Sequence, residues 1–254
     1  MIGVLSVFSP ATLACAPLIV LLAYTILGTT GFGSSITAMP LLAQLLPLRF
    51  AVPMLLLLDF TASLIIGTRN RAAIARPELR LLVPFMFLGI ALGATFLVHA
   101  PAKWLMFGLG SFVLCYAAYS MLARAGARLI GRAWAAPLGT LGGVFSALFG
   151  TGGPIFAIYL ARRLPDKSAL RATIATVTTL SAVTRFGVFA LAGLYAQRGM
   201  FAAAIGLFPF MLTGLWLGNH LHHRLAARRV MQAIWLILII GGASLLARSL
   251  LAPI

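Results

Sequence analysis

The chain has 254 residues, of which 62% are hydrophobic and only 9% charged, with a mean hydropathy of +1.07. Soluble domains carry about 25% charged residues, so this composition excludes an ordinary soluble fold and points to one membrane domain, 1–254. The net charge of +16 would suggest nucleic acid in a soluble protein. Here the basic residues sit in short gaps between apolar runs, which is the positive-inside pattern of membrane proteins, so no nucleic-acid partner is expected.

Apolar segments follow one another at 11–27, 33–46, 50–67, 80–98, 103–122, 134–149, 154–164, 168–192, 200–220 and 229–250. Most are long enough to cross a hydrocarbon core of about 30 Å. Thr12-Leu13-Ala14-Cys15 resembles a lipoprotein cleavage box, but no Lys or Arg precedes Arg49. Without a basic n-region, 11–27 reads as a retained helix. Cys15 and Cys115 lie inside apolar runs and read as small core hydrophobes rather than a disulfide or metal pair.

The second and seventh segments are short. Each follows a glycine-rich break, Gly28-Thr29-Thr30-Gly31-Phe32-Gly33 in one case and Gly150-Thr151-Gly152-Gly153-Pro154 in the other. These are expected to be broken or re-entrant helices. At an offset of 122, Gly28-Thr29 matches Gly150-Thr151, Gly31 matches Gly153, and Leu48-Arg49 matches Leu170-Arg171. At 125, Pro84-Phe85-Met86 matches Pro209-Phe210-Met211, and the pair Gly89 and Gly93 matches Gly214 and Gly218. An ordered series of this kind predicts an internal repeat, 11–122 followed by 134–251.

Lys and Arg bias sets the orientation. Arg69, Arg71, Arg76 and Arg80 place one gap inside, and Arg124, Arg128 and Arg132 place another there, with only Lys103 between them outside. In the second half, Arg162, Arg163, Lys167 and Arg171, then Arg224, Arg228 and Arg229, mark inside gaps. The gap holding Lys103 and its repeat mate therefore face opposite sides. The expected fold is an all-α polytopic bundle of two inverted-topology repeats, a plan common among secondary transporters.

The breaks are the first candidate site. Backbone N–H groups at a helix start, with the positive end of its dipole, form an anion site without a charged side chain. Thr29, Thr30, Gly31, Gly33 and Ser34 in the first break, with Ser35 beside them, and Thr151, Gly152 and Gly153 in the second are the candidate ligands. The alternative is that these glycines only permit tight helix packing. Asp59 lies mid-segment, where an acid costs about 2.5–3.5 kcal/mol on insertion scales. It reads as a coupling residue or half of an ion pair, and Ser181 is its match at offset 122. Arg185 lies about 7 Å beyond the centre of its segment at the helical rise and would either fork onto an anion or pair with Asp59. Thr173, Thr176, Thr178, Thr179, Ser181 and Thr184 give the same helix a polar face.

His99, His220, His222 and His223 lie near segment ends and read as interfacial groups, not metal ligands; Trp104 and Trp134 fit an aromatic belt. No nucleotide-binding loop is present, and the acids are three, Asp59, Glu78 and Asp166. No cofactor is expected. The competing readings are a cation or metal permease using Asp59, and an intramembrane enzyme with Ser34 or Ser35 as nucleophile and His99 as base.

The run Gly28 to Gly33 followed by Pro40-Leu41-Leu42 and Arg69-Asn70-Arg71, with the second run Gly150 to Pro154 and the pair Gly89 and Gly93, resembles the TauE/SafE sulfite exporter family over most of the chain. The resemblance implies a multi-pass permease of the bacterial cytoplasmic (inner) membrane for sulfite or an organosulfur anion such as sulfoacetate. Its expected partners are that small anion and the lipid bilayer, and a homo-oligomer is compatible with the sequence.

Overall fold

A computed structural model of the chain describes residues 9–30, 33–66, 73–122, 129–221 and 227–251. Among them the regular structure is helical, with ten α-helices: α1 Pro10–Thr30, α2 Ser34–Leu42, α3 Leu48–Ile66, α4 Arg76–His99, α5 Ala102–Leu122, α6 Ala135–Phe149, α7 Gly152–Ala161, α8 Lys167–Leu191, α9 Met200–Leu221 and α10 Ala227–Leu251. Six of them, α1, α4, α5, α8, α9 and α10, are long and apolar enough to cross a membrane. The ten expected segments correspond to these ten helices in order.

Local chemistry sets the ends. Pro77 stands in the first turn of α4 with Glu78 beside it, where a proline has no hydrogen bond to lose and an acid meets the positive dipole end. Asp166 caps α8, its carboxylate accepting from the Ala169 N–H at 2.7 Å. At the end of α6 the chain turns through Gly150 at φ 73°, and at the start of α2 through Gly33 at φ 100°. Both angles lie in the left-handed region that glycine adopts without strain.

The helices after these turns are short. With nine and ten residues, α2 and α7 are about 14–15 Å long at the helical rise, half of a hydrocarbon core of about 30 Å. Each folds back on the helix before it, α2 on α1 and α7 on α6. A Cβ on Gly152 would overlap Ser146, and one on Gly142 would overlap the Phe156 ring, so α6 and α7 run antiparallel in close contact.

Glycines seat the long helices on each other. Gly89 and Gly93 of α4 lie against the Thr140 and Val144 carbonyls of α6, with no room for a Cβ. Gly214 and Gly218 of α9 lie in the same way against the Leu21 and Thr25 carbonyls of α1. Helices α5 and α10 meet reciprocally: a Cβ on Gly110 would press on Leu246 and the Gly242 carbonyl, and one on Gly242 on Leu114 and the Gly110 carbonyl. The turns after α2 and α7 also match bond for bond. Gln44, Leu45 and Leu46 donate to Leu41, Leu42 and Leu42, while Arg162, Arg163 and Leu164 donate to Tyr159, Leu160 and Leu160.

These contacts correct the alignment read from glycines. Arg162 less Gln44 gives 118 through the turns, and Thr140 less Leu21 gives 119 along α1 and α6, in place of 122. Gly28 is a packing residue inside α1, pressed against Gly218, whereas Gly150 forms a turn, so the two are not equivalent. At 118 the position matching Asp59 is Val177 rather than Ser181. At the offset of 125, Gly89 and Gly214 make corresponding contacts, one against α6 and the other against α1.

Large apolar side chains, among them Leu18, Phe96, Phe201, Ile205 and Leu236, are exposed on the outer faces of the long helices. That is the surface a lipid-facing bundle presents. Cys15 and Cys115 are also exposed, on outward helix faces and not in the core as expected. Trp104 and Trp134 are exposed near helix ends, as an aromatic belt requires.

Candidate functional site: two helix starts meeting inside the bundle

The first helix start, that of α2, carries a carboxylate of the protein's own. Asp59 of α3 accepts at Oδ1 from the Tyr24 hydroxyl at 2.7 Å and the Ser34 hydroxyl at 2.8 Å, and at Oδ2 from the Ser35 hydroxyl. Ser34 and Ser35 are the first two residues of α2, so the acid lies at the positive end of that helix. A hydrogen bond to a charged group contributes about 1.5–3 kcal/mol. Three of them offset the insertion cost of about 2.5–3.5 kcal/mol for a mid-membrane acid. The positive end of α2 is thus met by a carboxylate of the chain itself.

The second helix start, that of α7, is built differently. Thr151 is its N-cap residue and is buried, yet its hydroxyl caps nothing and finds no partner among the described residues. Arg185 of α8 is also buried, and its Nη1 donates to the Ser146 carbonyl at 3.0 Å. Its Nε is left without an acceptor among the described residues. A Cβ on Gly150 would lie 3.6 Å from Arg185 Nη1, so the guanidinium stands beside the chain turn that opens α7. Two positive features are therefore adjacent, a guanidinium and a helix N-terminus. One neutral carbonyl meets only part of the cost of about 2.5–3.5 kcal/mol for an arginine at this depth.

The two starts meet at one glycine. The same Cβ on Gly150 would lie 3.0 Å from Ser35 Oγ, the hydroxyl that donates to Asp59. Asp59 and Arg185 are close enough to interact electrostatically but do not pair, since the ion pairs among the described residues both belong to Glu78. The expected direct pairing of Arg185 with Asp59 is not what the structure holds: three hydroxyls occupy the carboxylate instead.

The other expected ligands divide. Thr29 and Thr30 lie within α1, and both hydroxyls bond back to the Ile26 carbonyl, at 2.9 and 2.7 Å. This is the usual behaviour of threonine in an apolar helix. Gly31 lies outside the described residues. Gly33 supplies the left-handed turn before α2. Gly152 is required by packing on α6, whereas Gly153 has only an ordinary contact with Thr178 and leaves its backbone open to approach. On α8, Thr176, Thr178, Thr179 and Thr184 bond back to carbonyls of their own helix. Thr173 accepts from the Ala75 N–H, and Ser181 donates to the Ser146 hydroxyl at 3.1 Å.

Three residues of the site carry no charge and were not singled out in the sequence: Tyr24, Ser146 and Tyr195. Tyr195 lies in the short turn of helix after α8, packed on Phe186, and its buried hydroxyl has no partner among the described residues. It is close enough to Arg185 to interact with it.

The enzyme reading finds no geometry. Ser34 and Ser35 donate to Asp59, and exposed His99 shares its Nδ1 with the Thr95 carbonyl of its own helix. No group of three His, Cys, Asp or Glu stands together among the described residues. His222 and His223 lie outside them, while His220 bonds back to the Trp216 carbonyl.

A separate polar cluster closes the far end of α7. Buried Glu78 accepts from the Tyr159 hydroxyl and from Arg163 Nη2, each at 2.7 Å, with Arg132 at 3.6 Å. The bond to Glu78 holds the Arg163 guanidinium above its ordinary pKa. This clamp ties the end of α7 to the start of α4.

The family model for the sulfite exporter TauE/SafE matches residues 16–245. The chain is 26% identical over 193 residues to the probable inner membrane transporter protein TsaS of Comamonas testosteroni, covering 76% of this chain and 81% of that protein. No solved structure matches. A helical bundle with six membrane-length helices, matched by that family model from α1 to α10, belongs to the TauE/SafE sulfite exporter family: it is a multi-pass membrane transporter and not an enzyme.

Proposed function

We propose that the protein is a secondary transporter of the bacterial inner membrane that carries a small anion, sulfite or an organosulfur anion such as sulfoacetate, bound at the start of α7. The observation that carries this reading is the placement of Arg185 beside the α7 N-terminus at Gly150, with Thr151 Oγ1 and Arg185 Nε unmatched among the described residues. Donors outnumber acceptors there, and an oxyanion supplies acceptors and negative charge together.

The matched turns, the reciprocal contact of α5 with α10, and the exchange in which α4 packs on α6 and α9 on α1 support two repeats. With the Lys and Arg bias they support an inverted pair, whose short helices reach the bilayer interior from opposite faces. In this reading the repeats have diverged in one respect. The first anion position holds Asp59, and the second holds substrate.

Asp59 then serves as the coupling group. A proton on its carboxyl would convert an acceptor into a donor and release one of its three hydroxyls. Ser35, beside Gly150, links that change to the substrate position.

The test is uptake of radiolabelled sulfite by the purified protein in liposomes, with sulfoacetate and sulfate as competitors. The proposal expects saturable uptake by the wild type and its loss in Arg185→Ala protein that remains monodisperse. Undiminished uptake by the variant would refute the assigned site.

A further inference from the structure

At the end of the bundle where α4 ends and α5 begins, a groove of about 480 Å³ opens on the outer face. It lies between α4, α5 and α6, lined by Phe96, Leu105, Phe145, Leu148 and Phe149 with Trp104 at its rim. Phe96 and Trp104 are 61% and 64% exposed, so the groove faces what surrounds the bundle. In a membrane transporter that is lipid.

The groove has a cationic end. Ala100 and Pro101 line it, and Ala100 accepts from Arg49 Nη2 at 3.0 Å. Lys103 stands between Pro101 and Trp104, and exposed His99 is itself part of the lining. None of these groups has a carboxylate partner: Glu78 and Asp166 lie by the starts of α4 and α8, and Asp59 is held inside by hydroxyls. Basic side chains where two long helices meet the membrane surface attract anionic headgroups.

We infer that this groove is a binding site for an anionic phospholipid, with an acyl chain against Phe96, Phe145 and Phe149 and the phosphate at Lys103 and Arg49. Zwitterionic lipid offers the same chain but no net charge, so the basic end makes the site selective. The inference is independent of the substrate reading, since the groove's lining contains none of the residues assigned to the anion.

The test is native mass spectrometry of the protein released from nanodiscs of equal phosphatidylglycerol and phosphatidylethanolamine. Wild type is expected to retain phosphatidylglycerol in preference. Gly108→Phe, which fills the groove beside Phe149, removes the adduct. Lys103→Gln leaves the groove open and reduces the preference about fivefold, the factor expected for one basic residue at an anionic surface. Gly206→Phe, at a position with open space around it, controls for a bulky substitution and leaves the adduct in place. Equal retention of the two lipids, absence of a phosphatidylglycerol adduct, or an adduct unchanged by Gly108→Phe overturns the inference.

Discussion

Ser35 and Arg185 both stand beside Gly150, one hydroxyl committed to Asp59 and one guanidinium whose Nε has no acceptor among the described residues. Through that contact the start of α2, which holds a carboxylate, meets the start of α7, which among the described residues holds none. The predictions below separate the parts of this arrangement.

Thr151→Val tests the substrate position with the least disturbance. The threonine hydroxyl is buried with no partner among the described residues, so the near-isosteric change is expected to leave the melting temperature unchanged or raised, since a buried unmatched hydroxyl costs about 1–3 kcal/mol. A lost hydrogen bond to a charged ligand, about 1.5–3 kcal/mol, raises the KM for anion uptake about tenfold or more. Uptake kinetics and thermal unfolding on the same preparation give both readings.

Arg185→Lys keeps the charge and loses the planar fork. Lysine is a point charge on a flexible stem, and it lacks the Nε donor and the Nη1 that stands beside Gly150. Uptake is expected to fall at least about tenfold, as the loss of one charge-assisted bond predicts. Wild-type kinetics in the lysine variant would mean that charge alone suffices.

Tyr24→Phe removes one of three donors to Asp59 while keeping the ring in the core. The expected loss is about 1.5–3 kcal/mol of stability, the value of one hydrogen bond to a charged group. Asp59→Asn replaces the carboxyl proposed as the coupling group and is expected to leave anion uptake independent of an imposed pH gradient. Flux measured with and without that gradient checks it, and unchanged coupling contradicts the coupling role.

Gly143→Val and Gly218→Val test the packing that holds the halves together. Their added carbons would overlap backbone of α4 and of α1, so both variants are expected to fail in membrane expression or unfold at lower temperature. Gly187→Ala, with nothing near it, is expected to behave as wild type.

Much of this was legible in the sequence because the membrane makes rare residues conspicuous. Asp59 and Arg185 stood out as charges inside apolar runs, and the structure brings both to the same pair of helix starts. The breaks were legible from glycine and short flanking helices. Tyr24, Ser146 and Tyr195 were not, because hydroxyls occur throughout apolar helices and only a fold shows which of them meet a charge.

The register error has a physical origin as well. Gly28 and Gly150 look alike in sequence, but one lets two helices touch and the other turns the chain. The better signal was less glycine-rich: Leu42-Ala43 with Leu46-Pro47 recurs as Leu160-Ala161 with Leu164-Pro165, at the offset the turns obey. The threonines of the first break each bond back to the Ile26 carbonyl, as threonine does in an apolar helix.

The most direct test of the central claim is equilibrium binding of radiolabelled sulfite to purified wild type, Thr151→Val and Arg185→Ala proteins, with sulfoacetate as competitor. The account predicts saturable binding by wild type, displaced by the competitor, about tenfold weaker in Thr151→Val and absent in Arg185→Ala. Binding of equal strength by all three proteins would place the anion elsewhere and contradict the account.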